Sequence, residues 1–166
     1  MTIVFFTHRF WPEIGGVEKH ALEVALELVK RGHKVTVLAE NNGNLKDGEI
    51  YNGIEIIRIR IHTSERLKKF IIWKWLFINR KLIEKADVIH CHDVFFWFLP
   101  FRFLYPKKPV FTTFHGYETK FPPSYKAILM RKISEKLSFG NICIGDYIKK
   151  WYGTKPDFIT YGGISD

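Results

Sequence analysis

Two cysteines, two methionines and the want of any uncharged apolar run of about 18 residues set the first limits on this 166-residue chain. Without such a run no bilayer-spanning helix is expected. Met1 to Phe6 enters a strand-like stretch with neither a basic leader nor a small-residue cleavage site, so a soluble, unprocessed, cytoplasmic protein is expected. Cys91 and Cys143 each lie in or beside an apolar strand-like segment, which suits reduced, packed thiols better than a disulfide or a metal site. Internal repeats, low-complexity segments and an obvious linker are also lacking, and the length is that of one domain. Acidic residues are scarce: 17 against 26 basic ones give a net charge of +9. That balance predicts attraction to phosphate-bearing substrates, an acidic membrane surface or nucleic acid. No nucleic-acid recognition module accompanies the charge, so no nucleic-acid partner is expected.

What is present is alternation. An apolar run over Ile3 to Phe6 leads into a polar loop, Thr7 to Gly16; then Val17, Ala21, Val24, Ala25 and Leu28 recur at helical spacing. Gly32 stands where a helix C-terminus wants a residue tolerating positive φ, and Lys34 to Ala39 reads as a second strand. Asn41 to Gly53 reads as a polar excursion, Ile54 to Ile61 as a strand and Ser64 to Lys85 as one long helix. Strands are predicted at Val88 to His90, Val110 to Phe114, Asn141 to Ile144 and Phe158 to Tyr161. Helices are predicted near Phe95 to Leu104, Ser124 to Leu137 and Asp146 to Trp151. The pattern implies an α/β fold: one Rossmann-like, doubly wound, mainly parallel sheet covered on both faces.

Ligands of such sheets bind outside the carboxyl ends of the strands. Three distinctive segments fall there: Thr7 to Gly16, His90-Cys91-His92-Asp93 and His115-Gly116-Tyr117-Glu118. Gly15-Gly16 precedes a helix, where bare backbone N–H groups suit an anion; the competing reading is a tight loop closing onto its helix. The spacing is not G-x-G-x-x-G, and Glu40 alone offers an acid at the end of the second strand, which disfavours a nicotinamide cofactor. His115 ends an apolar strand and precedes a glycine, a position that lets an imidazole face a cleft. His90, His92 and Asp93 resemble metal ligands only superficially, since no further ligand set accompanies them, and no metal is expected.

These residues resemble a known family. Pro12-Glu13-Ile14-Gly15-Gly16, His20, Leu26 and Arg31-Gly32-His33-Lys34-Val35 are similar to the opening of the retaining GT-B glycosyltransferases of family four. Asp87-Val88-Ile89-His90-Cys91-His92-Asp93 and Thr112-Thr113-Phe114-His115-Gly116-Tyr117-Glu118 resemble two later marks of that family, in the same order. The resemblance implies that residues 1–166 form the N-terminal, acceptor-side half of a GT-B fold, without the donor-binding C-terminal domain. It implies transfer of a hexose from a nucleotide sugar to a glycan or lipid-linked acceptor, with no cofactor beyond the donor. It implies His115 as the catalytic residue touching the transferred sugar, and Glu13, Gly15, Gly16, His92, Asp93, Gly116 and Glu118 as substrate-binding residues. Tyr161-Gly162-Gly163-Ile164-Ser165-Asp166 resembles the crossover into the second domain, which is shared within one chain or supplied by a partner subunit. Gly145-Asp146 departs from a usual Ser, and Asp146 is expected to cap its helix. A competing class is a non-catalytic membrane-anchoring or acceptor-recognition subunit of a split enzyme; a sugar-nucleotide epimerase fits the ordered motifs less well.

The segment Arg66 to Lys81 is rich in both aromatic and basic residues. Leu67, Ile71, Trp75, Ile78 and Leu82 are read as the stripe that packs on the sheet. Lys68, Lys69, Phe70, Trp73 and Phe77 are read as a second surface facing an anionic membrane at its inner face, or covered by the aromatic Phe95 to Phe101 stretch or a partner.

Overall fold

The computed structural model describes residues 1–13, 15–41, 43, 45–61, 65–116 and 121–161, the side chains of residues 65 and 66 excepted. Its first strand, β1 (Thr2–Phe6), sends Ile3 and Phe5 into the core on one side and Val4 and Phe6 into the core on the other. A strand apolar on both faces belongs in the middle of a covered parallel sheet. The chain continues as α1 (Gly16–Lys30), β2 (Lys34–Asn41), β3 (Gly48–Tyr51), β4 (Ile54–Arg60), α2 (Glu65–Ile78) and α3 (Lys81–Lys85). After these come β5 (Val88–His92), α4 (Phe95–Leu104), β6 (Val110–Phe114), α5 (Tyr125–Leu137), β7 (Gly140–Ile144), α6 (Asp146–Tyr152) and β8 (Phe158–Thr160).

The eight strands lie in the order β3-β4-β2-β1-β5-β6-β7-β8, parallel except for the β3–β4 pair. The winding direction reverses between β1 and β5, which opens a crevice at their carboxyl ends. α1 lays Ala21 and Ala25 on Phe5, Val37 and Ile56 on one face. α2, α3 and α4 cover Phe6, Leu38, Ile89 and Val110 on the other. The polar excursion before β4 contains one strand that the sequence pattern does not predict, β3, whose alternating Glu49, Ile50 and Tyr51 sit half in solvent at the sheet edge.

The predicted single helix over Ser64 to Lys85 is two. Ser64 lies outside the described residues, and the break falls at Asn79-Arg80, where the Asn79 amide donates to the Trp75 carbonyl at 2.9 Å. A short amide side chain competing for the backbone in this way ends helices. The packing stripe also differs from the expected one. Ile72 and Leu76 are fully buried, whereas Leu67 and Ile78 are more than half exposed. The true stripe is rotated by roughly 100° from the expected one, one residue along the helix. Apolar residues ring this helix on most sides, so their periodicity does not single out the face.

Lys68 does not belong to an outer surface: its ammonium lies 2.6 Å from the Glu40 carboxylate at the end of β2. Glu40 also takes His8 Nδ1 at 2.7 Å. Burial alone would raise the Glu40 carboxyl, but the His8 and Lys68 hydrogen bonds and charges hold it below its ordinary value. Trp73 is half-buried, donating its indole N–H to the Phe96 carbonyl at 2.8 Å, so α4 covers that part of α2. Lys69, Phe70 and Phe77 stay exposed. Asp146 does not cap α6. The N-cap is Gly145 at φ +96, with no side-chain capping bond, and the Asp146 carboxylate instead accepts from the Tyr161 hydroxyl.

Leu76→Ala is expected to lower stability by about 2–5 kcal/mol, and Ile78→Ala by less than about 0.5 kcal/mol. Urea unfolding of both variants checks the assignment; equal losses would contradict it.

Candidate functional site

At the crevice, β5 ends in His92 and turns through Asp93, which adopts φ +59, a left-handed conformation uncommon outside glycine. That turn swings the Asp93 carboxylate onto the next strand end, where it accepts the His115 backbone N–H at 3.1 and 3.3 Å through its two oxygens. The Tyr147 hydroxyl donates to the His115 carbonyl at 2.6 Å, and Arg131 Nη2 donates to the Gly116 carbonyl at 2.9 Å. Arg131 is fully buried, its guanidinium stacked 3.9 Å over the Tyr152 ring and 4.6 Å over Phe114, and 3.7 Å from Asp93. Three elements, β5, α5 and α6, therefore fix the His115-Gly116 backbone.

The imidazoles gather. His92 Nδ1 and His115 Nε2 lie 3.0 Å apart, His90 stacks on His92 at 4.4 Å, and His20 of α1 meets the His115 ring edge-on at 5.0 Å. His90 and His92 share a face, because β5 runs through Cys91 to His92. His92 is 1% exposed, and its Nε2 is buried without a hydrogen-bond partner. If His115 donated to His92, that orphan Nε2 would carry a proton and leave an N–H unmatched in the interior. If His92 Nδ1–H donates, only a lone pair is unmatched, which costs less. The geometry therefore assigns His92 as donor and leaves His115 with a proton on Nδ1. His92 sits behind His115, where it orients that ring.

Burial holds all four rings neutral. It pulls His90 down to about 4 and His115 to about 3, with help from neighbouring imidazoles and, for His115, from Arg131; His92 is pushed well below its ordinary value. His20 is lowered too, burial outweighing the pull of Glu23. Among the described residues no group of three or more His, Cys, Asp or Glu side chains is arranged to hold a metal. Cys91 and Cys143 are free, buried thiols, and burial pushes both upward, Cys143 to about 11.

Gly15 and Gly16, both exposed, open α1 beside this cluster, with no side-chain cap. A methyl group on Gly16 would meet nothing within 4 Å, while one on Gly15 would come 2.5 Å from a Glu18 carboxylate oxygen. Glu18 thus folds back over the first turn of α1. Glu13 is half-buried, its backbone N–H bonded to the Phe10 carbonyl, and Glu118 lies outside the described residues. Asp93, which holds the His115 backbone N–H, and Phe114, the residue before His115, line a pocket of about 330 Å³ together with Phe96, Ser124, Lys126 and Met130. Glu18, Arg131 and Tyr147 carry no signal of a site role in the sequence pattern, and His20, although part of the family-like opening, is not singled out there for the site. Arg131 shares its helix face with Ala127 and Ser134, and a charge between two small residues reads as a solvated face.

Residues 14–156 match the sequence model of Glycosyltransferase Family 4. An uncharacterized glycosyltransferase of Methanocaldococcus jannaschii is 32% identical over 98 residues, 56% of this chain and 25% of that protein. A human phosphatidylinositol N-acetylglucosaminyltransferase subunit is 27% identical over 94 residues, 52% of this chain and 19% of that protein. In three dimensions the chain resembles a sucrose-phosphate synthase from Thermosynechococcus elongatus, with a TM-score of 0.74 at 13% identity, covering 98% of this chain and 48% of that one. The chain thus spans less than half of each of these proteins. The fold is an α/β domain of the GT-B glycosyltransferase type.

The neutral imidazoles make stability depend on pH. Unfolded histidines bind protons near 6.5, while native His90 and His115 do so near 4 and 3, so in between the unfolded state holds more protons. Their contribution is whole above 6.5 and is lost as the pH falls toward those values. The melting temperature is expected to drop between about pH 6.5 and 5, above the carboxylate range. His90→Phe should flatten that slope; an unchanged slope in thermal melts, or a flat wild-type profile, contradicts it.

Proposed function

The chain belongs to Glycosyltransferase Family 4, and on that premise we propose that it is the acceptor-side, N-terminal domain of a transferase moving a hexose from a nucleotide sugar. The observation that carries the reading is that α1, whose N-terminus is bare, sets His20 of its second turn against His115 at the carboxyl edge of the sheet, beside the β1–β5 switch point. Backbone N–H groups of Gly15 and Gly16 face the donor diphosphate across a cleft. A donor-binding domain, in the same polypeptide or in a partner, supplies the other wall. In the reaction the bond from the sugar C1 to the diphosphate oxygen breaks, and a bond forms from C1 to the acceptor hydroxyl oxygen. With retention, attack comes on the side the diphosphate leaves, and the departing phosphate oxygen takes the hydroxyl proton.

A neutral His115 suits this chemistry. It is not an acid at working pH, and its Nδ1–H is a positioned donor for a sugar hydroxyl, with His92 setting the tautomer. Asp93 and Arg131 hold the strand-end backbone that aims His115, through the His115 N–H and the Gly116 carbonyl, and the pocket beside it takes the acceptor, a glycan or a lipid-linked sugar. No dinucleotide fits equally well, because Glu40, the acid that would meet a ribose, is engaged by His8 and Lys68. The site lies on the cytoplasmic side, where the chain draws on its donor. A second reading, a non-catalytic recognition subunit of a split enzyme, is favoured by one fact: the human relative is itself named as one subunit of its enzyme.

The test is transfer of labelled hexose from a panel of nucleotide sugars, with the donor-binding half supplied. His115→Ala is expected to lower transfer about a hundredfold. Gly16→Ala should stabilise α1 by about 0.5–1 kcal/mol yet lower transfer, because the methyl stands between backbone and phosphate. Glu18→Gln should tighten nucleoside diphosphate binding up to about fivefold by removing a competing carboxylate. Full transfer by His115→Ala would overturn the catalytic reading and leave the recognition-subunit reading standing.

A further inference from the structure

Away from the crevice, α2 presents a face turned from the sheet. Leu67, Phe70, Phe77 and Ile78 are each at least 54% exposed there, and Lys74 stands between them at helical spacing. Between α2 and α4 runs a groove of about 480 Å³ lined by Trp73, Lys74, Phe77, Ile78, Pro100, Phe101 and Leu104, almost wholly apolar apart from Lys74. A run of large exposed apolar side chains of this kind costs solubility unless something covers it.

Among the described side chains, the charge on this face is positive apart from Glu84. Lys69 and Arg80 lie over the Phe70 and Phe77 rings, and Lys74 and Lys81 are exposed. Among the described residues, Lys69, Lys74 and Lys81 make no ion pair; Glu84 is the acid at hand, and it is shared by Arg80 and the Tyr105 hydroxyl. Unneutralised cations set among exposed phenylalanines match a surface that is anionic outside and apolar beneath.

One helix, α4, borders both the groove and the pocket at the crevice. Phe96, Pro100 and Leu104 follow one another at i, i+4 and i+8 on α4, Phe96 lining the pocket beside His115 and Pro100 and Leu104 lining the groove. That stripe is about 12 Å long.

We propose that the α2–α4 face docks on an anionic lipid bilayer, with Phe70 and Phe77 entering the interface and Lys69, Lys74 and Lys81 meeting lipid phosphates. The consequence for substrate rests on the transferase reading: the acceptor is an amphiphile whose sugar reaches the His115 pocket along α4 while its apolar part stays on the membrane side.

The experiment is sedimentation of the full chain with vesicles of phosphatidylcholine alone, or with phosphatidylglycerol added, and with brominated acyl chains as quenchers of tryptophan fluorescence. Binding is expected with phosphatidylglycerol and not without it, with quenching through Trp73. Lys74→Glu with Lys81→Glu, and separately Phe70→Ser with Phe77→Ser, should each weaken binding about tenfold or more while the melting temperature holds, because all four side chains are exposed. Equal binding to neutral vesicles overturns the proposal. So does phosphatidylglycerol binding indifferent to the phenylalanine pair, which would be simple charge adsorption. A stable self-complex without vesicle binding overturns it as well, making the face an interface between copies. Nucleoside diphosphate binding in the same variants should stay unchanged, so failure here is separable from failure of the transferase reading.

Discussion

The carboxyl edge of this sheet depends on one turn. Asp93 leaves β5 at positive φ, and its carboxylate takes the backbone N–H of His115 at the end of β6. A strand-end amide has no ladder partner beyond the last residue, and within a crevice it must find one. Asp93 supplies it, and Arg131, held between Phe114 and Tyr152, balances the carboxylate and takes up the next carbonyl. The residues around His115 are thereby fixed from three directions before any ligand arrives, which is the condition for a neutral imidazole to act as an oriented donor.

The same logic explains the histidine cluster. Four imidazoles this close would repel one another if charged, and burial makes protonation costlier still. The cluster therefore works as a set of neutral rings whose tautomers are coupled: His92, pinned inside, decides which nitrogen of His115 carries the proton. Moving His115 by a fraction of an ångström would break that coupling, so the backbone clamp and the tautomer are one device.

Much of this was legible in the sequence, for definite reasons. Parallel strands buried on both faces give apolar runs bounded by turns, and so β1, β2, β5, β6 and α4 stand within about two residues of where pattern reading put them. The strand ends carried His115, Asp93 and the glycine pair to one edge because the alternation of strand and helix leaves nowhere else for them. Periodicity failed where it was degenerate. α2 is apolar on most sides, so Leu67 and Ile78 read as core when Ile72 and Leu76 were. β3 was lost because an edge strand half in water alternates weakly. Arg131 and Tyr147 act through backbone carbonyls and ring stacking, and neither use marks a residue in one dimension.

Charge places a last constraint on how this half can work. On the transferase reading, a nucleoside diphosphate would bring at least two negative charges to the crevice. On the described side, what faces the α1 N-terminus is bare amide, a nearby Glu18 carboxylate and rings held neutral by burial. A helix terminus carries about half an elementary charge, which does not match such a ligand by itself. The buried guanidinium of Arg131 is committed to Asp93, Gly116 and two aromatic faces, and the exposed Lys69 and Lys74 of α2 stand on the far face of the α2–α4 layer. On the transferase reading, Lys19 in the first turn of α1 and Lys126 at the pocket are this chain's other cations near the site, and further cations for the departing diphosphate come from the opposite wall of the cleft. On the same reading this domain would contribute direction: bare amides for the phosphate, one oriented imidazole for the sugar, and the apolar side of α4 for what the sugar is carried on.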